Sequence, residues 1–109
     1  MQARKAAFAG SWYPDRPGAC EREIAAFLKD GGKKRPPGQA WTGGIVPHAG
    51  WYFSGKIACN VISNLVSQNP PDVIVIFGMH LHPGSPAYIM SEGAWETPFG
   101  DLPIAAPMA

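Results

Sequence analysis

The chain has few histidines, few cysteines and almost no net charge. Its 109 residues include three His, two Cys, nine Lys or Arg and eight Asp or Glu, which gives a formal net charge of +1. A nearly neutral chain lacks the basic surface that attracts nucleic acid, so we expect no nucleic-acid partner. Two cysteines cannot build a disulfide framework. Cys20 and Cys59, each within a helical pattern, are predicted to be packed thiols in a reducing compartment.

Long apolar runs are also missing. The N-terminal sequence MQARKAAFAGSWYP contains no stretch apolar enough for a signal peptide. No segment approaches the roughly 20 apolar residues of a membrane-spanning helix, so we expect no membrane partner. The expected location is therefore the cytoplasm, and a chain of this length predicts one domain, 1–109.

Glycine and proline are abundant, with 13 and 12 residues. They separate apolar segments, which is typical of a folded domain with many turns. The segment PGACEREIAAFLKDGG predicts an amphipathic helix, and Pro17 suits its start. The basic segment that follows, KKRPPGQ, predicts a solvated loop.

The pattern in the middle of the chain predicts a βαβ unit over about residues 41–77. WTGGIV reads as a short strand, and a helix with Ser54 as its N-cap follows to Gln68. VIVIF, residues 73–77, is typical of a strand buried on both faces. The predicted class is therefore α/β with a mostly parallel sheet, AYIMS being a weaker third strand and EGAWETPFGD a turn-rich segment.

The histidines follow the two predicted strands. Parallel strands have their carboxyl ends at one edge of the sheet, where ligands bind in open α/β folds. His48 lies just beyond the first strand and His80 just beyond the second, with His82 two residues later. Imidazoles suit divalent iron, copper and zinc, and two of them need at least one further ligand. The small residues Ala49 and Gly50 would leave room for a bound molecule, although each histidine could instead form only a loop hydrogen bond.

Several motifs resemble those of one family. AGSWYP, then VPHAGWYFSG, a buried strand into FGMH, and WETPFGD occur in the order seen in the Memo family, whose bacterial members are called AmmeMemoRadiSam system protein B. The resemblance covers nearly the whole chain. It implies a fold similar to the class III extradiol dioxygenases, here a partial three-layer sandwich, with an iron or copper site at the strand ends.

The resemblance also implies roles for individual residues. His48 matches the first metal-binding histidine and His80 the second. The interval from Gly78 to His80 is one residue shorter than in the family pattern, so His82 is a rival ligand. Trp12 matches an aromatic residue that lines the binding cleft, which would also be lined by Ala49 and Gly50.

The third metal ligand of the family is a cysteine or its equivalent, in a part of the family's length that this chain does not contain. Within this chain, the candidates for a substitute ligand are Cys59, Glu96 and Asp101. Core packing is the better interpretation of Cys59, and turn chemistry is the better one for the other two. The chain thus resembles the N-terminal portion of a Memo-like domain, and we interpret it as truncated. A strand as apolar as VIVIF would then be uncovered, which predicts self-association.

The resemblance implies a metal-dependent, dioxygenase-like oxidoreductase whose substrate is unknown. The alternative is a phosphopeptide or protein binding module without catalysis, and a further alternative is an inactive fragment. For a bacterial member, the family name also implies a radical SAM partner protein.

Overall fold

The computed structural model describes residues 2–29, 31–66, 69–78 and 82–109, which form two α-helices and one small sheet. The elements, in chain order, are strand β1 (Ala3–Arg4), helix α1 (Pro17–Lys29), helix α2 (Trp51–Val66), strand β2 (Ala94–Thr97), strand β3 (Gly100–Pro103) and a 3-10 helix (Ala106–Met108). Neither helix of the described chain is long and apolar enough to cross a bilayer.

Both predicted helices are confirmed, and they pack against each other. The contact is close at Gly55, which is buried in α2. A Cβ added there would lie 2.6 Å from the ring of Phe27 on α1, so glycine permits this approach of the helices. Cys20 is fully buried on α1, and its Sγ donates a hydrogen bond to the carbonyl oxygen of Pro14 at 3.2 Å. The burial predicted for Cys20 is therefore confirmed.

The sheet is mixed and joins the two ends of the chain. β1 runs parallel to β2, and β2 runs antiparallel to β3 with Thr97 opposite Gly100. The hydroxyl of Thr97 donates to the carbonyl oxygen of Gly100 at 2.7 Å and accepts from the backbone N–H of Phe99 at 3.1 Å. The turn predicted in WETPFGD is thus confirmed, but the strands on either side of it were not predicted.

The prediction of a βαβ unit over residues 41–77 is wrong for both strands. Helix α2 forms, whereas residues 41–46, 73–77 and 87–91 adopt no strand. A β-rich sequence forms a strand only where a neighbour pairs with its backbone and covers its side chains. Here Ile74 and Ile76 are each 67% exposed. The α/β class holds, and the three-layer sandwich stays a prediction.

The start of α2 also differs from the prediction. The helix begins at Trp51, so Ser54 lies within its first turn and is not the N-cap. The hydroxyl of Ser54 donates to the carbonyl oxygens of Ala49 at 3.0 Å and Gly50 at 3.3 Å. Ser54 is therefore a buried polar residue that ties the helix to the segment preceding it.

Candidate functional site

The N-terminal segment AGSWYP contacts the first residue of α2. The backbone N–H of Trp51 donates to the carbonyl oxygen of Trp12 at 2.9 Å. A Cβ added at Gly50 would lie 3.3 Å from the same oxygen, a tight contact, so Gly50 lies close against the backbone of Trp12. The rings of Tyr13 and Trp51 stack with their centroids 5.7 Å apart. Two motifs that are distant in sequence therefore meet at this point.

A tight turn presents Trp12. The N–H of Gly10 donates to the carbonyl oxygen of Tyr13 at 2.7 Å, and the N–H of Trp12 donates to that of Phe8 at 2.9 Å. The rings of Phe8 and Trp12 lie 4.9 Å apart, a distance typical of favourable aromatic pairs. The turn thus holds an aromatic pair on the side of the molecule where α2 begins.

A groove of about 580 Å³ lies between this segment and the two helices. Three of the predicted site residues, Trp12, His48 and Ala49, line it. Gly50 lies beside Trp12, as its close approach shows. Most of the remaining wall is apolar or aromatic, and its other residues are Phe8, Tyr13, Ile24, Phe27, Leu28, Pro47, Trp51, Ser54, Gly55, Ala58, Cys59, Ile62, Ser63 and Val66. The groove therefore suits a mainly apolar molecule.

The histidines are placed differently from one another. His48 is an exposed residue on the wall of the groove, shortly before α2. His80 lies outside the described residues. His82 is exposed in a loop, where its carbonyl oxygen accepts a hydrogen bond from the N–H of Ser85 at 3.0 Å. Within the described ranges, no three side chains of His, Cys, Asp or Glu come together as a metal site.

The three substitute ligands have structural environments that fit other roles. Cys59 lines the groove, and burial raises the pKa of its thiol, which disfavours the thiolate that metals bind. Glu96 accepts hydrogen bonds from the N–H of Ala6 at 3.3 Å and the Nζ of Lys5 at 3.2 Å, and these lower its pKa. Asp101 is exposed opposite Glu96 in the hairpin. Through these hydrogen bonds, Glu96 of β2 holds the N-terminal segment against the sheet.

Two asparagines of α2 have a structural role that the sequence did not predict. The amide groups of Asn60 and Asn64 both donate to the carbonyl oxygen of Lys33 at 2.8 Å. The side-chain oxygen of Asn64 accepts from the N–H of Arg35 at 2.7 Å. The predicted solvated loop is therefore attached to α2. The spacing of four residues, which places both asparagines on one helix face, was the available signal.

Comparison with known proteins identifies the family. A family model described as Memo-like protein matches residues 4–109. The chain belongs to the Memo family. The resemblance seen in its motifs is thereby confirmed, and two of those motifs, AGSWYP and VPHAGWYFSG, are the segments that meet at the groove.

Several archaeal proteins of the Memo family are similar to this chain. A MEMO1 family protein of Desulfurococcus amylolyticus is 38% identical over 112 residues, which cover 95% of this chain and 40% of that protein. Those of Pyrobaculum arsenaticum and Pyrococcus horikoshii are each 36% identical, over 100% and 97% of this chain and 41% and 36% of their own lengths. The chain therefore spans about two fifths of the relatives it matches. No solved structure matches it.

Proposed function

We propose that this Memo-family chain contributes His48 to a site for divalent iron or copper with dioxygenase-like, oxidoreductase chemistry. The observation that carries the proposal is the position of His48 on the groove where the two family motifs meet. An imidazole beside an apolar groove fits these metals, because nitrogen ligands suit them and apolar walls limit the access of water.

His48 supplies one ligand only, so the proposed site needs further donors. His80 is the proposed second ligand and His82 its rival, while the third lies outside this chain. When bound, the metal would supply electron transfer and open positions for substrate and oxygen. The residues of this chain would bind and orient the substrate, with Trp12 and Ala49 on the groove wall. The substrate class proposed is a small molecule or peptide.

The binding-module alternative has less support from the groove. Phosphate recognition usually employs arginine or lysine. The described lining of the groove contains neither residue. The cytoplasmic location and a radical SAM partner protein stay predictions.

The proposal is tested by anaerobic titration of the purified chain with ferrous and cuprous ions in competition with a coloured chelator. We expect His48→Ala and His80→Ala each to weaken binding by at least about tenfold, as the loss of a metal-binding donor should. His82→Ala is the matched control, because it also removes one imidazole, and it should leave affinity unchanged.

Equally weak binding by all four proteins would contradict the proposal. If only His48→Ala and His82→Ala weaken binding, the metal site is supported but its second ligand is His82 and not His80. Phosphotyrosine-peptide binding that survives the substitutions and chelation would favour the module instead.

A further inference from the structure

A second cavity, of about 450 Å³, lies between the end of α1, the segment that follows it and one face of α2, and we call it the basic pocket. Its volume is within the range of small-molecule sites, roughly 300–1,000 Å³. Its described lining contains no carboxylate, and Asp30 lies outside the described residues. The lining residues are Phe27, Leu28, Gly31, Gly32, Lys34, Arg35, Lys56, Asn60, Ser63 and Asn64.

The basic pocket concentrates positive charge on a chain that carries almost none overall. The formal net charge of the chain is +1, whereas residues 29–35 alone contain four lysines or arginines and one aspartate. Two of these cations, Lys34 and Arg35, line the pocket together with Lys56 of α2. Cations that converge from two parts of the chain raise the local concentration of anions. The charge of the lining therefore favours an anionic ligand.

Hydrogen bonds to α2 hold the segment that carries two of these cations. The amides of Asn60 and Asn64 both donate to the carbonyl oxygen of Lys33 at 2.8 Å, and Asn64 accepts from the N–H of Arg35 at 2.7 Å. The backbone is thus attached to the helix on both sides of Lys34. A segment that is already held in place loses less entropy when a ligand binds.

Arg35 indicates which anion fits. A guanidinium presents several N–H donors in a planar fork that matches the oxygens of a phosphate. The Nη1 of Arg35 donates to the carbonyl oxygen of Gln39 at 2.9 Å, which orients the fork, and Arg35 is half-buried. Lys34 adds a point charge of the kind that also binds phosphate. The cationic part of the pocket therefore suits a phosphate group.

The other part of the pocket is apolar. Phe27 and Leu28 line it near the end of α1, which is at Lys29. Backbone carbonyls at the C-terminal end of a helix disfavour an anion. This part of the pocket therefore suits the uncharged portion of a ligand.

We propose that the basic pocket binds a small organic phosphate, with its phosphate beside Lys34 and Arg35 and its apolar portion against Phe27 and Leu28. His48 does not line this pocket. The inference therefore goes beyond the proposed metal site and does not depend on it.

Calorimetric titration of the chain tests the inference. The probes are phenyl phosphate, inorganic phosphate and phenol, each with a metal chelator present so that no metal contributes to phosphate binding. We expect phenyl phosphate to bind with a Kd below about 1 mM. Inorganic phosphate should bind at least about tenfold more weakly because it lacks the apolar portion, and phenol at least about tenfold more weakly because it lacks the charge.

Matched variants locate the phosphate. Arg35→Gln and Lys34→Gln should each weaken phenyl phosphate binding by at least about fivefold, as the loss of a charge-assisted hydrogen bond should. Lys33→Gln is the control, because it removes the same charge from an exposed side chain that does not line the pocket. It should weaken binding by no more than about twofold, the effect of a distant, solvent-screened charge.

A fourth variant tests whether the pocket depends on the attached segment. Asn60→Ala combined with Asn64→Ala removes the hydrogen bonds to Lys33 and Arg35 without changing any charge. We expect it to weaken phenyl phosphate binding by at least about fivefold, whereas circular dichroism should show unchanged helix content.

Three results would overturn the inference. The first is an equal loss of affinity in Lys33→Gln, Lys34→Gln and Arg35→Gln with none in the asparagine variant, because binding would then be non-specific attraction to a basic segment. The second is equal binding of phenyl phosphate and inorganic phosphate. The third is an amide chemical shift change at Ala49 and none at Arg35, which would place the probe in the apolar groove instead.

Discussion

The substitution Gly93→Ala tests whether a close approach of two backbone segments holds the N-terminal segment in place. Gly93 has φ +90° and directly precedes β2. A Cβ added there would meet the carbonyl oxygen of Gln2 and would lie 3.0 Å from Cε of Met90. The same carbonyl oxygen accepts a hydrogen bond from the N–H of Ala94 at 3.1 Å. The Cβ therefore cannot be placed without moving β1.

The expected cost has two parts. The left-handed backbone disfavours an alanine by about 1–2 kcal/mol. Displacement of the Gln2 carbonyl adds about 1–3 kcal/mol, the usual range for overpacking. We therefore expect Gly93→Ala to lower the free energy of unfolding by about 3 kcal/mol in total.

Gly10→Ala is the matched control. Gly10 has φ +87°, but a Cβ there would find its nearest neighbour, Oδ2 of Asp15, at 3.5 Å, an ordinary contact. Gly10→Ala should lower the free energy of unfolding only through the strained backbone, by about 1 kcal/mol once the reduced entropy of the unfolded chain is included. The difference between the two variants isolates the close approach to Gln2.

The assay is urea unfolding of both variants and of the wild type, combined with hydrogen exchange at the amide of Ala94. Gly93→Ala should speed exchange at Ala94, whereas Gly10→Ala should not. Equal unfolding costs in the two variants, with no change at Ala94, would refute the argument that the approach of Gln2 to Gly93 secures β1.

Two further predictions concern ionisable groups. Hydrogen bonds from Ala6 and Lys5 hold the pKa of Glu96 below its ordinary value of 4.5 in the folded chain. The ionised carboxylate therefore stabilises the fold at pH values above 4.5, and this stabilisation is lost as the pH falls through the lowered pKa of the folded state. Glu96→Gln should therefore reduce the fall in urea midpoint between pH 7 and pH 3, and an unchanged fall would count against the contact. Burial raises the pKa of both thiols, and Cys20 is the more deeply buried. A disulfide reagent should modify Cys59 first and Cys20 only on unfolding, and the reverse order would be inconsistent with the packing.

The sequence was sufficient for features whose cause is local. The helical spacing of apolar residues predicts α1 and α2. This spacing places the apolar residues on one face of each helix, and the two helices pack against each other. The Thr97–Gly100 turn follows from residues that favour turns in any context. Family membership likewise follows from the order of the motifs.

The strands show where local information is insufficient. Residues 73–77 have strong β propensity, yet they form no strand among the described residues, because a strand depends on a pairing partner. β2 contains fewer strand-forming residues, yet it pairs on both edges, with β1 from the start of the chain and with β3. Ala94 of β2 is fully buried as a result. The partner, and not the propensity, decided which segment became a strand.

The candidate site divides in the same way. The amino-acid sequence by itself determined that His48 stands among small residues and aromatics immediately before a helix. Only the tertiary structure decided that Trp12 lines the same groove as His48, because the position of Trp12 depends on a backbone hydrogen bond between residues far apart in the chain, from Trp51 to Trp12. It also decided that Glu96 fastens the N-terminal segment through Lys5 and Ala6. Contacts between distant segments depend on how the helices and strands pack, which no local pattern encodes.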